Sequence, residues 1–107
     1  MVYTIEEIKN KITPIAEKYR LPAVYVFGSY ARGEATSDSD VDVLIQRGGS
    51  AVRGIIMGAL YNELNESLQK SVDLVTIETL EQENTKSRTP WFIRNLMKER
   101  LLIYAKQ

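Results

Sequence analysis

Apolar positions along this chain alternate between helical and extended spacings. Over residues 4–19, Ile5, Ile8, Ile12, Ile15, Ala16 and Tyr19 recur every three or four positions, the pattern of one helix face. Thr4 and Glu7 open that stretch at capping-box spacing, so each side chain can satisfy a free backbone N–H of the other. Pro14 lies inside it and is expected to kink or split the helix, because proline lacks an N–H and crowds the preceding turn. Leu21-Pro22 ends the pattern. Residues 23–27, Ala-Val-Tyr-Val-Phe, then read as a strand: short, β-branched and aromatic.

The strand runs directly into Gly28-Ser29. Residues 29–33 have the makings of one helical turn, and residues 34–39 are rich in turn formers. Residues 41–45, Val-Asp-Val-Leu-Ile, predict a second strand. After the loop Gly48-Gly49-Ser50, with Ser50 as helix cap, Val52, Ile55, Ile56, Ala59, Leu60, Leu64 and Leu68 form an amphipathic stripe that predicts a helix over residues 51–69. Gly54 and Gly58, four apart on it, suggest close helix packing. Residues 72–77 predict a third strand and residues 78–88 a polar loop. Thr89-Pro90 is a cap followed by a first helical residue, opening a helix to about Arg100. Leu101 to Tyr104 predict a short last strand. The whole reads as one domain, 1–107, of α/β or α+β class, with a mixed sheet of about four strands packed against helices.

Composition narrows the chemistry. The chain has 107 residues, neither cysteine nor histidine, and a formal net charge of zero. Disulfides, thiolate chemistry, a Ser-His-Asp triad and the commonest zinc ligand are all excluded. A neutral domain offers little to a polyanion, so nucleic acid is not the expected partner. No stretch approaches the length of a membrane-spanning helix and the N-terminus lacks a signal-peptide pattern, so the cytoplasm is the expected location. Charge is unevenly placed, however. Glu34, Asp38, Asp40 and Asp42 fall together without a base, while Lys86, Arg88, Arg94, Lys98, Arg100 and Lys106 face only Glu99 in the C-terminal stretch. The basic stretch reads either as a solvated helix face or as a surface for an acidic partner. Trp91 and Phe92 there read as core plugs, interface residues or a platform for a base.

Three features point to catalysis on carboxylates. Gly28-Ser29 at a strand end lets backbone approach a ligand closely, and a helical turn starting there offers free N–H groups to a phosphate. Asp40 and Asp42 alternate along a strand, so both share a face, roughly 6.6 Å apart along the chain direction, while Val41, Val43 and Ile45 face a core. They read either as a charged strand edge or as ligands of a divalent cation that removes their mutual repulsion. Asp73 is a lone acid in the apolar run Val72-Asp73-Leu74-Val75. If the third strand neighbours the second, Asp73 joins the other two. Asp38 reads as a turn former.

Together these residues carry a resemblance. Phe27-Gly28-Ser29-Tyr30-Ala31-Arg32-Gly33-Glu34, followed by Ser37-Asp38-Ser39-Asp40-Val41-Asp42-Val43, resembles the signature of the DNA polymerase beta-like nucleotidyltransferases, and of the minimal nucleotidyltransferase (MNT) family in particular. Val72-Asp73-Leu74-Val75 resembles that family's third-carboxylate strand. The resemblance implies a nucleotidyltransferase fold that moves AMP from ATP to an acceptor hydroxyl. Asp40, Asp42 and Asp73 would be the catalytic and metal-binding residues, on Mg²⁺ or Mn²⁺. Gly28 and Ser29 would hold the triphosphate, with Arg32 contacting phosphate or making a structural ion pair with Asp38 or Glu34. Larger relatives carry a second, helical domain that this chain is too short to hold, so a homo-oligomer or a separate protein is expected to complete the site. MNT proteins are often paired with HEPN-domain partners, which implies an antitoxin that adenylylates a tyrosine of a HEPN toxin. The same motif also fits transfer to a cationic small molecule such as an aminoglycoside, and the basic C-terminal stretch fits an antitoxin that acts by docking alone.

Overall fold

The computed structural model describes residues 2–86 and 90–106, with side chains for all of these except residues 82–92. The chain runs α1 (Ile5–Lys18), β1 (Ala23–Phe27), α2 (Gly28–Arg32), β2 (Val41–Gln46), α3 (Ile55–Leu68), β3 (Val72–Thr76), α4 (Ile77–Lys86), α5 (Pro90–Glu99) and β4 (Leu101–Ala105). The four strands form one sheet in the order β3-β2-β1-β4. β1 lies antiparallel to β2 and β4, and β2 lies parallel to β3 across the α3 connection. The expected mixed four-stranded sheet is therefore present.

Strand alternation divides the sheet between two cores. Val24, Val26, Val41, Val43, Ile45, Val72 and Ile103 face α1 and α3, where they meet Ile8, Ile12 and Ile15 of α1 and Leu60, Leu64 and Leu68 of α3. On the other face Leu44 is fully buried with Ile77 and Leu80 of α4 and Ile93 and Leu96 of α5. Asp42 is two positions before Leu44 and shares its face, but it is only half-buried. The smaller core thus stops short of the sheet end that carries the carboxylates.

α1 begins as its pattern predicts: Thr4 Oγ1 accepts from Glu7 N at 3.0 Å, and Thr4 N donates to Glu7 Oε1 at 2.9 Å. Pro14 does not split it; the helix runs unbroken to Lys18. α3 starts later than expected. Gly54 takes φ +58° and caps the helix without a side-chain bond, and Ser50 only accepts from Val52 N in the loop before it. The stripe narrows accordingly to Leu60, Leu64 and Leu68, with Ile55 left 92% exposed. Close packing does not explain Gly54 and Gly58, since a Cβ added at either meets nothing within 4 Å.

The largest departure is α4. The polar stretch expected to be a loop is helical from Ile77. Thr76 Oγ1 accepts from Thr79 N at 3.1 Å, ending β3 and starting the helix in one residue. Glu78 then ties α4 to the end of β2, accepting from Gly48 N at 2.9 Å and from Arg47 N at 3.1 Å. Burial pushes the Glu78 carboxyl up, but those backbone N–H groups and the Arg47 charge hold it below its ordinary value. Thr89, and the side chains of Lys86, Trp91 and Phe92, lie outside the described residues, as does Arg88. No helix among the described residues is long and apolar enough to cross a membrane.

Candidate active site

The site is built where β1 hands over to α2. Gly28 has φ +70°, a left-handed conformation that side-chain-bearing residues rarely adopt. A Cβ placed on it would lie 2.1 Å from Asp42 Oδ2, so the Asp42 carboxylate occupies the space that a side chain at position 28 would fill. The short helix α2 follows, with Phe27 as a cap that supplies no side-chain bond, and Gly33 at φ 73° closes it. Ser29 lies half-buried in its first turn.

Register brings the acids together. Phe27 pairs with Asp42 across β1 and β2, and Asp42 pairs with Asp73 across β2 and β3. Asp40 stands two residues before Asp42, at the mouth of β2. Burial raises the Asp42 carboxyl to about 6, with the charges of Asp73 and then Asp40 pushing the same way and Arg32 opposing. Asp42 therefore feels both other carboxylates, in the order that strand register implies. Asp40 and Asp73 are exposed at the rim. Among the described residues, no three acids are already gathered closely enough to hold a metal ion. The arrangement is an anchored carboxylate with two surface neighbours of like charge, rather than a closed cage.

Arg32 is placed beside this group but engaged elsewhere. Its Nε donates to Glu34 Oε1 at 2.7 Å and its Nη1 to Glu99 Oε2 at 3.3 Å. Hydrogen bonds to Glu34 and then Glu99 raise its already high pKa. Glu34 is the expected ion-pair partner, Asp38 is not a partner, and Glu99 of α5 is an addition. Asp38 sits in the tight turn of residues 36–39, which is tied by Thr36 N to Ser39 Oγ at 2.8 Å. Beside it a shallow cleft of about 380 Å³, lined by Tyr3, Ser37, Asp38, Asp40, Gln69 and Lys70, opens next to Asp40. A wider concavity of about 770 Å³ lies at the opposite end of the strands, around Pro22, Ser50 and Lys106, away from the carboxylates. The carboxylate shelf itself is open to solvent.

Lys70 was not among the residues that the motif singled out. Its only signal in the sequence is its place just before the third strand, which neighbours the second.

A mixed sheet that sets acids side by side on adjacent parallel strands, against a glycine-opened helical turn, defines a nucleotidyltransferase. The chain belongs to the polymerase beta nucleotidyltransferase family, whose sequence model matches residues 10–107. A candidate protein adenylyltransferase of Methanocaldococcus jannaschii is 40% identical over 77 residues, covering 71% of this chain and 81% of that protein. Among solved structures, a chain from a toxin–antitoxin complex crystallised with AMP-PNP superposes with a TM-score of 0.68 at 23% identity, covering 92% of this chain and 74% of that one. A chain from the complex of tri-AMPylated Shewanella oneidensis HEPN toxin with its MNT antitoxin gives 0.63 at 20% identity, covering 96% and 74%. These two likenesses describe the fold.

Proposed function

We propose that this chain is the antitoxin of a pair: it transfers AMP from ATP to a hydroxyl of a HEPN-domain toxin, a tyrosine, in the cytoplasm. The observation that carries the reading is Asp42, which is pressed into the space a side chain at Gly28 would take and is registered beside Asp73. Asp40, Asp42 and Asp73 hold Mg²⁺ or Mn²⁺ in this reading, and Gly28, Ser29 and Arg32 hold the triphosphate.

The donor set suits such a cation. It offers only hard carboxylate oxygens, and burial first, then the charges of Asp73 and Asp40, raises the proton affinity of Asp42. A divalent cation bound there supplies neutralisation of phosphate charge and lowers the proton affinity of the acceptor hydroxyl. The acceptor oxygen bonds to the α-phosphorus as the bond from that phosphorus to the α–β bridging oxygen breaks. Pyrophosphate leaves with the electron pair, and Asp73 takes the hydroxyl proton. Gly28 contributes by lacking a side chain, which lets Asp42 and the phosphates approach the same strand end.

An open shelf fits a macromolecular acceptor better than an enclosed small one. The adenylyltransferase relative and the toxin–antitoxin neighbours support the same acceptor class. For a cationic small molecule the cleft beside Asp40 offers one acid beyond the three carboxylates, Asp38, and Lys70 lines the same cleft.

The test uses ATP labelled at the α- or the γ-phosphate, with Mg²⁺ and a HEPN-domain protein from the same genome. The α-label is expected to become protein-bound and the γ-label to leave with pyrophosphate, while Asp42→Asn transfers neither. Silencing of the toxin by wild type without label transfer would replace this reading with docking alone.

A further inference from the structure

Asp40 lies in the loop just before β2 and Asp73 on the edge strand β3, and the turn between α3 and β3 is bonded to both segments. Asn65, in the last turn of α3, ties the start of that turn to the start of β3. Its Oδ1 accepts from Val72 N at 2.9 Å, one residue before Asp73, and its Nδ2 donates to Tyr61 O one helical turn back at 2.8 Å. Its own carbonyl accepts from Gln69 N at 2.8 Å, and Gln69 takes the left-handed conformation that turns the chain out of α3.

The two side-chain bonds fix the amide orientation, since one partner is a donor and the other an acceptor. The same turn reaches β2. Val41 N donates to Ser71 O at 3.0 Å, and Lys70 Nζ donates to Ser37 O at 2.9 Å in the loop that leads to Asp40.

We infer that Asn65, assisted by Lys70, is a positioning residue of the carboxylate site: it sets β3 against β2 so that Asp73 stands beside Asp42, while Lys70 holds the 36–39 turn that delivers Asp40. The inference rests on the reading of these acids as a metal–nucleotide site. Asn65 touches none of the reacting groups and acts through the Val72 amide. β3 has a partner on one side only, so the bonds at its start add to the register that its pairing with β2 and the burial of Val72 already favour. Groups that hold metal-ligating residues in place are commonly worth about 10–100-fold in metal affinity.

The experiment compares wild type, Asn65→Leu, Asn65→Asp, Lys70→Met and the control Asp42→Asn. Each is checked for folding by circular dichroism. Affinity for Mn²⁺ with a fluorescent ATP analogue is measured by titration, and exchange of the Val72 amide is followed by NMR. Asn65→Leu is expected to release the Val72 amide to fast exchange and to weaken binding about tenfold. Asn65→Asp keeps an acceptor for that amide but loses the donor to Tyr61 O, so it is expected to recover part of the affinity. Lys70→Met changes only a surface side chain, so it reports even if Asn65→Leu does not fold; its binding is expected to weaken while its melting point stays that of wild type. A folded Asn65→Leu with a freely exchanging Val72 amide and wild-type binding would overturn the inference, as would Lys70→Met binding like wild type if Asn65→Leu does not fold. Failure of wild type to bind, or wild-type binding by Asp42→Asn, would instead remove the underlying site, and the inference with it.

Discussion

Asp42→Asn should make the metal-free protein more stable at neutral pH, even though it removes a residue central to the proposed chemistry. The folded state holds the Asp42 carboxyl at about 6 against an ordinary value of 3.8, first through burial and then through Asp73 and Asp40. Between these values the unfolded chain has released the proton while the folded chain keeps it. Stability is therefore full below about pH 4 and falls as the pH rises through about 6. At 1.36 kcal/mol per tenfold change in proton affinity, the full effect is about 3 kcal/mol. Asp42 is only half-buried, so solvent screening reduces this to about 1–2 kcal/mol. Asparagine has the shape of the protonated acid and no charge to lose. In urea unfolding with EDTA, the difference between Asp42→Asn and wild type should be near zero at pH 4 and grow to about 1–2 kcal/mol by pH 7.5. Taking the difference cancels groups with the opposite slope, such as Glu78, whose lowered carboxyl contributes stability that is lost on acidification. Saturating Mg²⁺ should stabilise wild type and not the variant. A difference that is flat with pH, or that favours wild type at pH 7.5 in EDTA, would refute the electrostatic account.

Three further outcomes follow. Gly28→Ala should cost about 1–2 kcal/mol for the left-handed backbone and also push Asp42 aside, since the new Cβ falls 2.1 Å from its Oδ2; thermal melts and nucleotide titration should show a folded protein with binding at least about tenfold weaker. Asp73→Asn removes the like charge beside Asp42, so it should keep or slightly raise the wild-type melting point in EDTA, while lowering AMP transfer with Mg²⁺ by about a hundredfold or more, read by intact-mass spectrometry of the acceptor. Glu78→Ala should destabilise the fold by about 1–3 kcal/mol, because it strips acceptors from the Arg47 and Gly48 amides; chemical denaturation at pH 7 measures it.

Local signals in the sequence were enough for most of the fold. The Thr4–Glu7 cap, the alternation in Val41–Ile45 and the proline at position 90 each act over a few residues, and the elements they predict are present. The failures had local causes that the hydrophobic pattern hides. Among the described side chains of α4, Ile77 and Leu80 face the core; the stretch is mostly polar and read as loop, although the Thr76–Thr79 cap was a usable signal. In α3 the stripe extended too far toward the N-terminus because Ile55 and Ile56 are apolar yet exposed, Ile55 almost fully. The acids themselves were legible from spacing. Their meeting was legible only as a condition, because the pairing of Asp42 with Asp73 depends on β2 and β3 becoming neighbours. The Arg32–Glu99 pair, between α2 and the end of α5, left no trace in any local pattern.

In the proposed site, one cation joins the carboxylates of Asp42 and Asp73, with Asp40 alongside. Crystals grown with Mn²⁺ and a non-hydrolysable ATP analogue test it directly through anomalous scattering. A manganese peak is expected within about 2.0–2.3 Å of oxygens from both Asp42 and Asp73, with the triphosphate against Gly28 and Ser29. Manganese bound elsewhere, or nucleotide bound while these two side chains turn away from each other, would contradict it.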